Sequence, residues 1–228
     1  MKSAEKICEH IYLVGGSESS HPADCSVYLI EGGDELTLID SGAGPGISAI
    51  VRNIRALGLS PEKISLVIST HAHIDHIGGN AFLNREFGCD IFAHELDADR
   101  IESGEMVGAE FYGVAYDPCP VAQKMVEPEV KLIRGSITLT AIHIPGHTPG
   151  SIALWTEVGG KRVLFGQDVH GPYVPDWGAV MSQVGPSLKK MRDLDADILC
   201  EGHFGIFDSK KAVRDYIDQF LVRYSPRL

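Results

Sequence analysis

The sequence predicts an α/β domain in which helices cover β-sheets. Short apolar runs of strand length alternate along the chain with amphipathic stretches of helical period. Of the 228 residues, 44% are hydrophobic and 22% are charged, a balance that favours a packed core over a disordered chain or a coiled coil. Because this length is about one and a half times the usual ~150-residue domain, we expect a single domain over residues 1–228.

Three strands and a helix are predicted in the first quarter of the chain. The strands are the apolar runs at 11–14, 26–31 and 36–39. Gly32-Gly33-Asp34 supplies a turn between the second and the third. Residues 46–57 place apolar side chains at three- and four-residue steps, which predicts an amphipathic helix that ends at Gly58.

The middle of the chain divides into a regular part and an irregular part. Leu66–Ser69 and Asp90–Ala93 are predicted strands, and Ile77–Phe87 between them is a predicted helix. Residues 101–130 show weak periodicity with several Gly and Pro, so we expect a long, partly helical excursion. Such an excursion serves either as a lid or binding loop or as a tolerated surface insertion.

The last part of the chain again predicts strands followed by a helix. The strands are expected near 137–144, 151–156, 162–165 and 197–200. A Gly- and Pro-rich loop is predicted at 169–186. The final helix is expected from about 208 to 224, with Val213 and Ile217 on its apolar face.

Charge and cysteine content limit the class of partner. Twenty Lys and Arg against thirty-one Asp and Glu give a net charge of −11, which argues against nucleic acids and anionic membranes. The five cysteines contain no CxxC pair and indicate free thiols in a reducing compartment. No segment has the pattern of a signal peptide or a membrane span. We therefore expect a cytoplasmic protein that acts on a small molecule, either as a monomer or as a homodimer.

The strongest chemical signal is Thr70-His71-Ala72-His73-Ile74-Asp75-His76, directly after a predicted strand. In extended backbone, residues two apart point to the same side, so His71 and His73 can approach one ion together. Asp75 and His76 follow where the chain turns into a helix. Burying four such polar groups without a metal or dense pairing is costly. Imidazole and carboxylate ligands together suit zinc, iron or manganese.

Three further side chains that can bind a metal follow predicted strands, each one or two residues after a glycine. They are His147 in Pro-Gly-His, Asp168 in Gly-Gln-Asp and His203 in Glu-Gly-His. Sites in α/β sheets form where strand ends converge at one edge, so these residues can meet the first cluster. Two residues after Asp168 begins a segment with His170, Tyr173 and Trp177, which we expect to face the substrate.

In this order and setting, the motifs resemble those of the metallo-β-lactamase superfamily. The resemblance includes Asp40 in Leu-Ile-Asp-Ser-Gly and extends over roughly residues 25–205. It implies a four-layer αββα sandwich with two divalent metal ions at one sheet edge, zinc first and iron or manganese as alternatives. It also implies that His71, His73 and His147 hold one metal, that Asp75, His76 and His203 hold the other, and that Asp168 bridges them. Asp40 would orient a histidine or the loop.

The resemblance implies a hydrolase in which hydroxide generated between two metals attacks an electrophilic centre. Asp75 would be the catalytic residue that orients the nucleophile or accepts its proton. We expect a thioester substrate first and a lactone second, as in hydroxyacylglutathione hydrolase-like or lactonase-like members. One alternative is a mononuclear iron persulfide dioxygenase that uses His71, His147 and Asp168. Another is a non-catalytic, metal-stabilised binding or sensor module. Asp168 disfavours a true β-lactamase, since those enzymes lack an aspartate bridge at this step.

Overall fold

The computed structural model describes residues 3–224, and its strands form two mixed sheets. The first sheet contains, in spatial order, β1 (Glu5–Cys8), β2 (Ile11–Gly15), β3 (Val27–Glu31), β4 (Leu36–Ile39), β5 (Ile64–Ile68), β6 (Asp90–His94) and β7 (Gln123–Met125). The pairs from β1 to β4 are antiparallel. The pairs from β4 to β7 are parallel, so β4 to β7 all end at the same edge.

The second sheet contains β8 (Glu129–Arg134), β9 (Ile137–His143), β10 (Ile152–Val158), β11 (Lys161–Gln167), β12 (Ile198–Glu201) and β13 (Ile206–Phe207). Its spatial order is β13-β12-β11-β10-β9-β8. The strands pair antiparallel except for β11 and β12, which are parallel.

The helices lie in the connections between strands. They are α1 (Ile47–Ala56), α2 (Ile74–Ile77), α3 (Asn80–Phe87), α4 (Glu95–Ser103), α5 (Ala109–Tyr112), α6 (Met181–Asp193) and α7 (Lys210–Tyr224), with short 3₁₀ turns at Pro61–Lys63 and Pro175–Trp177. Within residues 3–224, no helix combines the length and the apolar character that crossing a membrane requires.

Three layers of buried apolar side chains separate four layers of secondary structure. Ile50 of α1 and Leu83 of α3 pack on one face of the first sheet. Residues such as Ile68 and Phe165 fill the space between the two sheets. Leu188 of α6 and Ile217 of α7 cover the outer face of the second sheet. The αββα sandwich is therefore confirmed, since each sheet buries one face on helices and the other on its partner sheet.

Several elements differ from the expectation. The predicted helix at 77–87 is divided into α2 and α3 by Gly78-Gly79. The excursion at 101–130 contains helix α5 and strand β7, together with the end of α4 and the start of β8. The predicted loop at 169–186 is wrong over its last six residues, because α6 begins at Met181. Gly185 and Pro186 favour a loop locally. Burial of Val184, Leu188 and Met191 on the second sheet outweighs that preference.

Candidate metal centre

The motif residues lie where parallel strands of the two sheets end. In the first sheet Ile39 of β4 pairs with Ile68 of β5, so Asp40 lies beside the start of the histidine motif. In the second sheet Gln167 of β11 pairs with Glu201 of β12, so Asp168 lies beside the loop that carries His203. His147 is in the connection from β9 to β10. The structure thus brings all seven sequence-predicted donors to one edge of the sandwich.

Two residues at this edge adopt left-handed backbone conformations although neither is glycine. Asp40 has φ 62° and Gln167 has φ 48°, and each directly follows or ends a strand. Such residues are uncommon and store local strain, and they concentrate at functional sites. In both cases the sharp turn directs the next part of the chain toward the donor cluster.

Close approach of the backbone also requires the two glycines after the motif. A Cβ on Gly78 would lie 2.2 Å from the carbonyl oxygen of Ala43, and a Cβ on Gly79 would lie 2.4 Å from that of Ser41. The loop after β4 therefore packs directly on the helical turn that carries Asp75 and His76. Any side chain larger than hydrogen at these positions would separate the two segments.

Three imidazoles form one half of the cluster. Nε2 of His71 lies 3.0 Å from Nδ1 of His73, and the ring of His147 is centred 4.7 Å and 4.6 Å from theirs. One ring nitrogen from each of the three lies within 4.8 Å of the others. Burial and the neighbouring imidazoles lower the pKa of His71 well below its usual range and that of His73 to about 3. His71 and His73 are therefore neutral and offer lone pairs.

Asp75, His76 and His203 form the other half. Oδ2 of Asp75 lies 3.6 Å from Nε2 of His76 and 3.2 Å from Nε2 of His203. Burial would lower the pKa of His203, but the Asp168 and Asp75 carboxylates outweigh it and raise that pKa to about 10. This half of the cluster consequently favours positive charge, which either a proton or a metal cation can supply.

The carboxylate of Asp168 lies between the two halves, with one oxygen toward each. Oδ2 lies 3.3 Å from Nε2 of His147 and 4.0 Å from Nε2 of His71. Oδ1 lies 3.3 Å from Nε2 of His76 and 3.4 Å from Nε2 of His203. Burial alone would raise the pKa of Asp168, yet His76 and His203 hold it well below its usual range, so the group is an anion.

The donor set fits divalent metal ions. Among the described residues, Nε2 of His76, both ring nitrogens of His147 and Oδ1 of Asp168 are buried without a hydrogen-bond partner. Such atoms are costly unless a ligand satisfies them. Five imidazoles with two carboxylates are suitable donors for zinc and for iron or manganese. A metal ion in each half would satisfy Nε2 of His76, Oδ1 of Asp168 and one ring nitrogen of His147, and it would supply the positive charge that the carboxylates favour.

Asp40 orients one of the histidines, as the sequence predicted. Its Oδ2 accepts a hydrogen bond from Nδ1 of His76 at 2.8 Å and from the Thr70 hydroxyl at 2.9 Å. Its Oδ1 accepts from the Thr70 backbone N–H at 2.8 Å. With Nδ1 donating to Asp40, the lone pair of Nε2 faces the donor cluster. This is the carboxylate–histidine arrangement that fixes the tautomer of metal ligands.

Asp97 of α4 was missed by sequence reasoning. Its side chain is fully buried and joins the two histidine-bearing loops. Its Oδ2 accepts from the backbone N–H of Ala72 at 2.9 Å and from the Thr148 hydroxyl at 2.6 Å, and its Oδ1 accepts from the N–H of Gly150 at 2.8 Å. Glu201 has a comparable role, because its Oε2 accepts from the N–H groups of His203 and Phe204 at 2.7 Å and 2.9 Å. Neither residue lies in a spacing pattern that distinguishes it from an ordinary carboxylate.

His94 begins the helix that carries Asp97. Its Nδ1 accepts from the backbone N–H of Leu96 at 3.2 Å, and its ring stacks on that of His143 at 3.8 Å. Burial, together with His143, lowers the pKa of His94 to about 4. The unfolded chain therefore takes up a proton at this group before the folded chain does.

A pH-dependent stability follows from His94. Its contribution is fully present above the unfolded pKa of 6.5 and is lost as the pH falls from 6.5 toward about 4. In His94→Asn, which keeps a helix-capping acceptor, we expect the slope of unfolding free energy against pH to decrease in this window, by at most about 1.4 kcal/mol per pH unit. Urea titrations of both proteins at pH 4.5, 5.5 and 7 measure this. Identical slopes would contradict the assignment.

An open cavity of about 770 Å³ adjoins the donor cluster and is large enough for a small-molecule ligand. His73, Asp75, His147, Asp168 and His203 lie in its wall. Of the three residues expected to face a substrate, His170 and Trp177 line this cavity and Tyr173 does not. The Tyr173 hydroxyl instead donates to the carbonyl of Val169 at 2.9 Å, and its ring contacts that of His147. His170 donates through Nδ1 to Oε1 of Glu201 at 2.9 Å.

The sequence is similar to those of several known proteins. An uncharacterized protein of Aquifex aeolicus is 30% identical over 153 residues, which is 64% of each chain. The human acyl-coenzyme A thioesterase MBLAC2 is 23% identical over 221 residues, covering 83% of this chain and 76% of that one. A hydroxyacylglutathione hydrolase of Anaeromyxobacter dehalogenans is 31% identical over 143 residues, 63% of this chain and 45% of the relative. The first and third matches thus span less than two thirds of those relatives.

A solved structure shows the same fold. A Cronobacter sakazakii metallo-beta-lactamase with a HARLDQ motif superposes with a TM-score of 0.83 at 21% identity, covering 98% of this chain and 96% of that one. The sequence model of the metallo-beta-lactamase superfamily matches residues 22–203, most of the chain and the whole donor set. By its sequence match and its fold, the chain belongs to the metallo-beta-lactamase superfamily.

Proposed function

We propose that the protein binds two divalent metal ions, zinc before iron or manganese, and hydrolyses a small ester-like substrate, a thioester first and a lactone second. The observation that carries this proposal is the position of Asp168. Its two oxygens face two separate groups of imidazoles, at 3.3 Å from His147 and 3.3 Å from His76. A carboxylate in this position suits a bridging ligand. The thioesterase and hydroxyacylglutathione hydrolase names of the relatives support a thioester substrate.

Metal ions at this donor set would lower the pKa of a water molecule and polarise the carbonyl that it attacks. The residues of the chain perform the remaining tasks. His71, His73 and His147 would hold one ion and Asp75, His76 and His203 the other, and the Asp40 carboxylate keeps the lone pair of His76 Nε2 directed inward. Asp75 lines the cavity, so its carboxylate can orient the attacking water and accept its proton. No serine or cysteine nucleophile is needed.

The test is metal removal and restoration with matched thioester and lactone substrates. Protein stripped by a chelator should lose hydrolysis, and addition of zinc to about two ions per chain should restore it. Asp75→Asn, which keeps one oxygen donor but is a poor base, should lower kcat by about 100-fold with a smaller change in KM. The exposed Asp208→Asn is the control. Full activity of the metal-free protein would disprove the proposal, and an unchanged kcat in Asp75→Asn would disprove the role of that carboxylate.

The mononuclear iron persulfide dioxygenase is the competing function. It would use His71, His147 and Asp168, and these three do converge, with Asp168 Oδ2 near both imidazoles. It gives no role to the convergence of His76 and His203 on the other oxygen of Asp168, or to Asp75 beside these two histidines. The two functions differ in metal content. One iron per chain with oxygen consumption on glutathione persulfide would favour the dioxygenase.

A further inference from the structure

Exposed apolar side chains are concentrated around the cavity beside the donor cluster. Among residues 3–224, ten large hydrophobic side chains are exposed, and five of them line this cavity. We call these five the apolar wall: Met106, Phe111, Tyr112, Trp177 and Phe204. Scattered exposed apolar residues are ordinary, but a contiguous group beside a polar site indicates ligand binding.

The wall is assembled from three separate segments of the chain. Phe111 and Tyr112 belong to α5, and Trp177 belongs to the 3₁₀ turn after β11. The rings of Phe111 and Trp177 meet with centroids 5.1 Å apart. Phe204 follows His203 and packs against the ring of His170 at 4.7 Å. Because segments distant in sequence meet here, the wall is a formed surface and not the tip of one loop.

The wall begins directly at the donor cluster. The carbonyl oxygen of Trp177 lies 3.4 Å from Nε2 of His73. Tyr112 of the wall lines the same cavity as Asp75, the predicted catalytic group. An acyl carbon held at the metal centre would therefore extend its chain over these rings.

Two exposed carboxylates, Glu110 and Asp176, lie in the lining of the cavity. Asp75 and Asp168 also line it, and among residues 3–224 no lysine or arginine does. Asp75 and Asp168 are occupied by the donor cluster, but Glu110 and Asp176 are exposed farther out. An anionic group held away from the metal centre would meet Glu110 and Asp176, and like charges at short range repel each other. The phosphates of coenzyme A and the carboxylates of glutathione both have the wrong sign.

We propose that this cavity binds thioesters or esters that combine an apolar acyl chain of several carbons with a leaving group carrying no negative charge. The proposal rests on the proposed hydrolase function and specifies its substrate class. It separates this chain from relatives whose names specify acyl-coenzyme A or hydroxyacylglutathione as substrate. The apolar wall recognises the acyl chain, and the exposed carboxylates of Glu110 and Asp176 exclude anionic leaving groups.

The experiment uses the zinc-loaded protein and acyl thioesters of N-acetylcysteamine, an uncharged thiol, from acetyl to decanoyl. We expect kcat/KM to rise about threefold to fourfold per methylene until the wall is covered, as burial of a methylene predicts. Coenzyme A and glutathione thioesters of the same acyl groups should react at least about tenfold more slowly at low salt, and the difference should shrink with added salt. A flat chain-length series, or equal or faster turnover of the anionic thioesters, overturns the proposal.

Substitutions test which side chains cause the dependence of kcat/KM on acyl-chain length. Phe111→Ala and Trp177→Ala should flatten the chain-length dependence, whereas Ile133→Ala and Val222→Ala, which remove exposed apolar side chains outside this cavity, should not. Glu110→Lys should selectively raise turnover of the coenzyme A thioester. Equal slopes in the two pairs of alanine variants would contradict the assignment of the wall.

A binding measurement separates this proposal from the hydrolase function. The uncleavable thioether S-octyl-N-acetylcysteamine should quench the fluorescence of Trp177 in a Trp155→Phe background and bind more tightly than the ethyl analogue. Preferential binding without turnover of any thioester or lactone would overturn the proposed function and leave the ligand class standing. Equal binding of the octyl and ethyl compounds overturns the ligand class itself.

Discussion

Replacement of Asp168 by alanine should lower hydrolysis by more than about 100-fold and reduce the bound metal below two ions per chain. Loss of a residue that only orients a metal ligand typically costs 10- to 100-fold, and Asp168 itself contacts both halves of the donor cluster. Its two oxygens are the anionic atoms that face His147 on one side and His76 and His203 on the other. Without them, the positive charge of two divalent ions at short range lacks the central anion that offsets it.

Elemental analysis and a thioesterase assay on the same preparation measure this effect. Asp168→Asn provides a second variant that keeps the side-chain volume and one oxygen, and it should retain more metal than Asp168→Ala. The exposed Asp208→Ala should resemble the wild type in both measurements. Full metal content with undiminished hydrolysis in Asp168→Ala would show that the carboxylate does not bridge the two halves.

Replacement of Asp97 by alanine should destabilise the protein by about 3 kcal/mol or more, because three buried donors then lose their acceptor. These are the N–H groups of Ala72 and Gly150 and the hydroxyl of Thr148. Ala72 lies between two of the histidines, and Thr148 follows a third. We therefore expect a loss of metal affinity to accompany the loss of stability, although Asp97 belongs to none of the clusters of candidate metal-binding donors.

The matched control lies on the same helix. Asp99 of α4 is exposed, so Asp99→Ala removes a carboxylate from the same helix without removing buried hydrogen bonds. Urea midpoints give the stabilities, and competition with a fluorescent zinc chelator gives the affinities. Asp97→Asn should show an intermediate loss, since an amide oxygen can still accept from one or two donors. A purely structural role would lower the urea midpoint and leave the metal affinity of the folded protein unchanged.

The cluster of candidate metal donors was predictable because its chemistry is local and its residue types are rare. His71, His73, Asp75 and His76 stand within six positions, and no packing requirement explains such a group. Asp97 and Glu201 hold the loops of the donor cluster through buried hydrogen bonds. The sequence did not reveal them, because a single carboxylate near a helix start or a strand end has no distinguishing spacing. Their roles depend on which loops the tertiary fold places beside them.

The strands were predicted where burial produces continuous apolar runs, as in β3 and β4. Helix α4 was missed because Glu95–Ser103 is mostly polar and only its face with Ala98 and Ile101 is buried. The edge strand β8 alternates between partly buried and exposed residues and carries three charged side chains, so its apolar signal is weak. In these elements packing against neighbours, and not local preference, decides the conformation.

The donors divide between the two sheets, and this division links metal binding to folding. His71, His73, Asp75 and His76 follow β5 of the first sheet, whereas His147, Asp168 and His203 follow strands of the second. Neither half of the molecule alone is a complete chelator. An ion bound across them would act as a reversible cross-link between layers that are otherwise joined by hydrophobic packing, one chain connection and hydrogen bonds such as those of Asp97. Each tenfold rise in free metal above its dissociation constant then adds about 1.4 kcal/mol to the work of separating the halves.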